Sequence, residues 1–125
     1  MIAVSSNLKA VVPTDVEMRG PFPIMSTPYF ENGDVDYDGL VRQIDWLLKC
    51  KTPGAIWCQS NDAIDLLTVE ERLSGMKALV QEWKNSPKKT GLTLGVNGDD
   101  IAEMMFFARE AEKMATESGV DVVFA

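Results

Sequence analysis

The sequence predicts an α/β fold of short parallel strands alternating with helices, in the order β-α-β-α-β-α-β. Three observations predict it. Apolar runs begin roughly every 30 residues, the length of a βα unit. Between them lie apolar stripes at three- and four-residue spacing, the mark of helices with one buried face. The junctions carry turn and capping residues. Strands separated by whole helices run parallel and are joined by right-handed crossovers. The opening of a (β/α)8 barrel and a small doubly wound sheet both satisfy this pattern, and local pattern does not separate them.

Taken in order, residues 1–18 read as an N-terminal arm or capping element, with Pro13 interrupting a short apolar stretch. Residues 19–125 hold the alternating units. An apolar run at 22–27 ends at Pro28 and is followed by an Asn32-Gly33 turn. A helix is expected over 36–50, with Leu40, Val41, Ile44, Leu47 and Leu48 on one face. Thr52-Pro53-Gly54 breaks it and leads to a buried strand at 55–58. Thr68 and Glu71 form a capping box, in which each side chain takes up a free amide at the helix start. The inward stripe of that helix is read as Leu73, Met76, Val80 and Trp83, and 85–89 as a polar loop. A third strand is expected at 92–96, then a turn at Asn97-Gly98 with Asp99 as cap. Met104, Met105, Ala108, Ala111 and Ala115 line the next helix, which Gly119 ends as a left-handed cap before a strand at 120–125.

Composition narrows the chemistry. The 125 residues are 46% hydrophobic and 25% charged, which suits a folded domain and not a disordered chain. The net charge of −7 is spread without a basic stripe, so nucleic acid and anionic membrane are poor partners. There is no histidine, which removes imidazole catalysis and histidine metal sites. Cys50 and Cys58 are too few for a disulfide scaffold and read as reduced thiols, Cys58 packed in the core. No leader-like start and no apolar run of membrane-spanning length is evident, so a cytoplasmic location is expected.

Two short patterns read as capping and not as ligand sites. Asp34, Asp36 and Asp38 before Gly39 have calcium-loop spacing, but a strand precedes them and Asp45 stands where a bidentate glutamate belongs. Their simpler use is acidic capping of the first helix. Gly95-Val96-Asn97-Gly98 lies between strand and helix, where phosphate is sometimes cradled, yet Asp99 and Asp100 bring negative charge there. No metal site is expected. The stripe Met104, Met105, Phe106 and Phe107 is too apolar for a solvated face; part is expected to pack on the sheet and part to mark a subunit contact.

Gly20 to Pro28 followed by Asn32-Gly33-Asp34-Val35-Asp36, then Leu67-Thr68-Val69-Glu70-Glu71-Arg72, then Gly95, Ala102 and Glu103, occur as an ordered set without gaps. This set resembles the opening of the dihydrodipicolinate synthase / N-acetylneuraminate lyase family over about residues 19–125. The resemblance implies a TIM barrel of which only the first (βα)3β portion is present, against the roughly 250 residues of a whole barrel. It also implies class I aldolase chemistry, in which a lysine forms a Schiff base with pyruvate or another 2-oxo acid and tyrosines relay protons, with no further cofactor. The family places that lysine on its sixth strand and its tyrosines after the fourth and near the fifth, all beyond Ala125. None of the chain's own lysines falls on a predicted strand. No catalytic residue is therefore expected within the chain, which is expected to be inactive alone. The alternatives are a non-catalytic half-barrel that acts by association and a degenerate family member. A homo-oligomer is expected.

Candidate substrate-binding residues under this resemblance are Thr27, Ser60 and Asn61. The family's Gly-Ser/Thr-Thr-Gly-Glu motif aligns with Gln59-Ser60-Asn61-Asp62-Ala63, where a hydroxyl and an amide remain but both glycines and the glutamate are absent. Ser and Asn are equally ordinary turn residues. Asp62 is expected to bring a negative charge towards the substrate carboxylate.

Overall fold

The structure is a computed structural model describing residues 19–60, 62, 64–85, 91–120 and 122–125. The N-terminal arm at 1–18 and most of the polar loop at 85–89 lie outside the described residues. Helix α1 (Tyr37–Lys49) leads to strand β1 (Gly54–Trp57), followed by a 3-10 turn (Ile64–Leu66) and helix α2 (Val69–Asn85). Strand β2 (Gly91–Leu94), helix α3 (Ile101–Ser118) and strand β3 (Val122–Phe124) complete the order. The sheet is parallel in the order β1-β2-β3.

Helix ends follow the sequence chemistry. Asp36 caps α1 by accepting from the Gly39 amide at 2.8 Å. Thr68 and Glu71 form the reciprocal capping box, at 2.8 and 3.2 Å. At α3 the cap is Asp100 instead of Asp99. Its side chain accepts from Glu103 N, while the Asp99 amide donates back to the Glu103 carboxylate. Gly119 closes α3 in the left-handed conformation, φ 67°.

The first apolar run forms less strand than its sequence suggests. Residues 22–27 pair with β1 only through Ile24, in parallel register with Ile56. Pro21 and Pro23 have no N–H to give and the Thr27 amide goes to Asp62, so the ladder stops at Met25 N to Ile56 O and Ile56 N to Pro23 O.

Helix α2 contacts both α1 and α3, which puts all three helices on one face of the sheet. A doubly wound sheet needs helices on both faces, so the barrel-type winding is the one adopted. Partners in parallel register share a face. Ala55, Leu92 and Val122 form one row on the helix side, and Trp57, Leu94 and Phe124 the next. All are buried except Phe124, which is half-buried. Gly75 of α2 lies directly over the Trp57 ring, where a Cβ would collide with it. The opposite face carries Ile56, Thr93 and Val123. Only Thr93 is buried there, and Ile24 beside them is 40% exposed.

Helix phases differ in part from the sequence reading. In α2 the buried face is Arg72, Gly75, Met76, Leu79, Val80 and Trp83, with Leu73 only half-buried. In α3 Phe107 takes the place expected for Met104 and Met105, alongside Ala108, Ala111 and Ala115. Met104 and Phe106 are exposed, and Met105 is half-buried. No described helix is long and apolar enough to cross a membrane.

Candidate functional site

Both loops that leave the C-terminal strand ends, after β1 and after β2, come together. Barrel chemistry is built at this end because loops there can vary without disturbing the sheet. The β1 loop begins with Cys58, fully buried and in the left-handed region at φ 68°. Its carbonyl lies against Gly95, where any Cβ would collide with it, and Gly95 N donates to Trp57 O at 2.8 Å. Glycine at 95 is required by this close approach. Burial pushes the Cys58 thiol up; the charge and hydrogen bond of Arg72 work against the rise, while Asp62 adds to it. Cys58 is therefore a protonated core thiol, not a nucleophile.

Arg72 is the residue that the sequence reading missed. It sits in the first turn of α2 but is only 5% exposed. Its guanidinium carbon lies 3.5 Å from the centroid of the Phe107 ring, and Nη2 reaches Gly95 O at 3.4 Å. Its Nε has no hydrogen-bond partner. Helical spacing carried the signal, since Arg72, Met76, Leu79 and Trp83 fall on one face.

A cavity of about 430 Å³ opens between the two loops, with Ser60, Arg72 and Asn97 among its lining residues. Asn97 Oδ1 is buried without a partner. The lining thus offers a hydroxyl at Ser60, an unused donor at Arg72 and an unused acceptor at Asn97. Asp99 and Glu103 stand at the same cavity. The Glu103 amide is taken by Asp100 and that of Asp99 by Glu103, which leaves those amides closed to a phosphate.

Of the three residues expected to bind substrate, Ser60 is exposed at this cavity. Asn61 lies outside the described residues. Thr27 is 8% exposed and hydrogen-bonded on the helix-facing side of the sheet. Its hydroxyl accepts from Trp57 Nε1 at 3.0 Å and donates to Asp62 Oδ2; its amide donates to Asp62 Oδ1 at 3.0 Å. Both oxygens of the Asp62 carboxylate therefore accept from Thr27. Asp62 N donates to Gln59 O at 3.0 Å, closing a tight turn over Ser60.

The calcium-like spacing resolves into local structure. Asp34 engages Asn32 at the turn, and Asp36 caps α1 and meets Arg42 at 3.4 Å. Among the described residues no group of three or more Cys, Asp or Glu is placed to hold a metal ion.

No protein-family model matches the chain. It is 30% identical over 101 residues to 4-hydroxy-tetrahydrodipicolinate synthase of Enterococcus faecalis, covering 81% of this chain and 33% of that one. Among solved structures, 4-hydroxy-tetrahydrodipicolinate synthase from Methylacidiphilum fumariolicum SolV superimposes with TM-score 0.71 at 20% identity, over 86% of this chain and 34% of that one. N-acetylneuraminate lyase from Mycoplasma synoviae gives 0.65 at 24%, over 81% and 33%. The chain spans about a third of the length of the curated relatives it matches.

Proposed function

We propose, from a chain that belongs to the N-terminal part of the dihydrodipicolinate synthase / N-acetylneuraminate lyase family, that it supplies the carboxylate-binding end of a Schiff-base lyase acting on pyruvate or another 2-oxo acid. The observation that carries this reading is the tight turn presenting Ser60 at the C-terminal strand ends, beside the cavity that Arg72 and Asn97 line. A 2-oxo acid brings a carboxylate, which the Ser60 hydroxyl and the unused Arg72 Nε can meet, against the negative charge of Asp65, Asp99 and Glu103 at the same cavity. Ser60 and Asn61 are the contacts, and Thr27 serves by holding the loop.

The amine that attacks the 2-oxo carbon is not on this chain in this reading. The described lysines are Lys49, Lys51, Lys77, Lys84 and Lys113, on helices or a turn and none on a strand. An amine nucleophile needs desolvation to shed its proton near neutral pH, which a lysine on an outer helix lacks. In this reading the chain alone is inactive; by the family resemblance it needs no cofactor or metal and works in the cytoplasm within a homo-oligomer.

Titrating the 15N-labelled chain with pyruvate tests the reading. The Ser60 amide is expected to shift in a saturable way, and Ser60→Ala to weaken binding about tenfold, the worth of one charge-assisted hydrogen bond. An unmoved Ser60 amide at saturating pyruvate counts against it. One observation favours a second reading, a half-barrel that acts by association. Ile24, Ile56 and Val123 leave an apolar row open on the face away from the helices.

A further inference from the structure

We infer that Asp62 is a positioning residue: through Thr27 it fixes the turn that presents Ser60. The ligand half of this inference rests on the reading of Ser60 as a carboxylate contact; the half concerning loop order does not.

The loop after β1 is tied at both ends. Upstream, the Cys58 carbonyl is pressed against Gly95, and Gly95 N holds Trp57 O. Downstream, the only side-chain clasp among the described residues is Asp62 on Thr27, across 35 positions of sequence. Between these ties, Asp62 N to Gln59 O makes the turn itself. Ser60 is exposed and gains little from packing, so its position follows from the ties on either side.

The clasp has a defined polarity. Trp57 is completely buried, and its indole N–H is directed to Thr27 Oγ1. That bond leaves the hydroxyl's single proton free to go to Asp62, while the Thr27 amide supplies a second donor. Two donors converging on two oxygens require an acceptor on each, which a carboxylate has and a carboxamide lacks. Asparagine at 62 keeps the shape but loses the charge-assisted bond from the Thr27 hydroxyl, since its Nδ2–H can only donate to Thr27 Oγ1 and the hydroxyl proton must then turn elsewhere. The family register aligns Asp62 with a glycine, and no local pattern around 59–63 announces this role. The carboxylate keeps its charge and is held against Thr27 by these two bonds.

The test uses the full 15N-labelled chain as wild type, Asp62→Asn, Asp62→Ala, Thr27→Val and Thr27→Ser, each with its thermal midpoint recorded. Backbone order at the Ser60 amide is measured first, without ligand. It is expected to fall from the rigid to the flexible range, an order parameter of about 0.85 to below about 0.6, in Asp62→Ala. Asp62→Asn and Thr27→Val are expected to fall part of the way, and Thr27→Ser to match wild type. Pyruvate affinity read at the Ser60 amide should follow the same ranking, with Asp62→Ala roughly tenfold weaker. The Trp57 indole N–H resonance should move in Thr27→Val and stay in Thr27→Ser. A Ser60 amide as ordered in Asp62→Asn and Thr27→Val as in wild type overturns the inference, and these two variants keep the test decisive if Asp62→Ala does not fold. Loss of order at Ser60 with no pyruvate binding even in wild type upholds the clasp and instead rejects the 2-oxo acid reading.

Discussion

Gly95 and Gly119 separate two reasons for a glycine. At Gly95 the backbone of one loop touches that of another, and a Cβ would run into the Cys58 carbonyl. At Gly119 no atom lies within 4 Å of where a Cβ would go, but φ is 67°. Gly95→Ala must therefore displace backbone, at more than about 3 kcal/mol of stability. Gly119→Ala meets only torsional strain, about 1 kcal/mol. Urea denaturation of the two variants checks this; equal losses would mean that the contact at Gly95 relaxes without cost. Cys58 belongs to the same scale. Its left-handed backbone falls one residue before Gln59, where the aligned motif has its first glycine. A left-handed backbone at a cysteine is not something sequence register alone could place. The Thr27–Asp62 clasp was equally hidden, because partners 35 residues apart leave no local signal.

At the scale of elements, capping chemistry was legible because it acts over three residues, as Asp36 with Gly39 and Thr68 with Glu71 illustrate. Helix phase was legible only where polar residues interrupt the apolar ones. Met104 to Phe107 are apolar in an unbroken row, so periodicity cannot choose among them; the alanines at 108, 111 and 115 fix the phase, and with it Phe107. Arg72 defied the rule that charge faces water because Phe107 and Gly95 receive its guanidinium. The α1–α2 contact carries an electrostatic cost. Burial, and then Asp45 opposite, raise the Glu82 carboxyl above its ordinary range. A folded-state pKa raised above the unfolded one gives stability that is present below pH 4.5 and lost as pH climbs through the raised value. Glu82→Gln removes that loss. It is expected to stabilise the chain by roughly 0.5 kcal/mol at neutral pH, a figure scaled to a largely solvated pair, and by nothing in acid. Thermal midpoints across that range check it, and a gain that persists at low pH would assign the effect to packing.

Over the whole molecule, the sheet has one finished face and one open one. Helices cover the rows led by Ala55 and Trp57 and bury Leu92, Leu94 and Val122, each full burial of such a side chain contributing about 1.5–3 kcal/mol. The face bearing Ile24, Ile56 and Val123 is what a closed barrel fills with side chains from its other strands. Parallel winding was legible in the alternation of runs and stripes, but the choice of a single helical layer was not. With every crossover right-handed, that choice depends on the strand order, which strand and helix lengths do not encode. The division of chemistry proposed above puts a carboxylate-binding loop on this chain and the amine elsewhere. Treatment with pyruvate and borohydride followed by mass spectrometry tests it most directly, on the chain alone and fused to the remaining C-terminal portion of the Enterococcus faecalis relative. The account predicts an unchanged mass for the chain alone and a reduced adduct on the added portion of the fusion; an adduct on the chain itself, or none on a folded fusion, would contradict it.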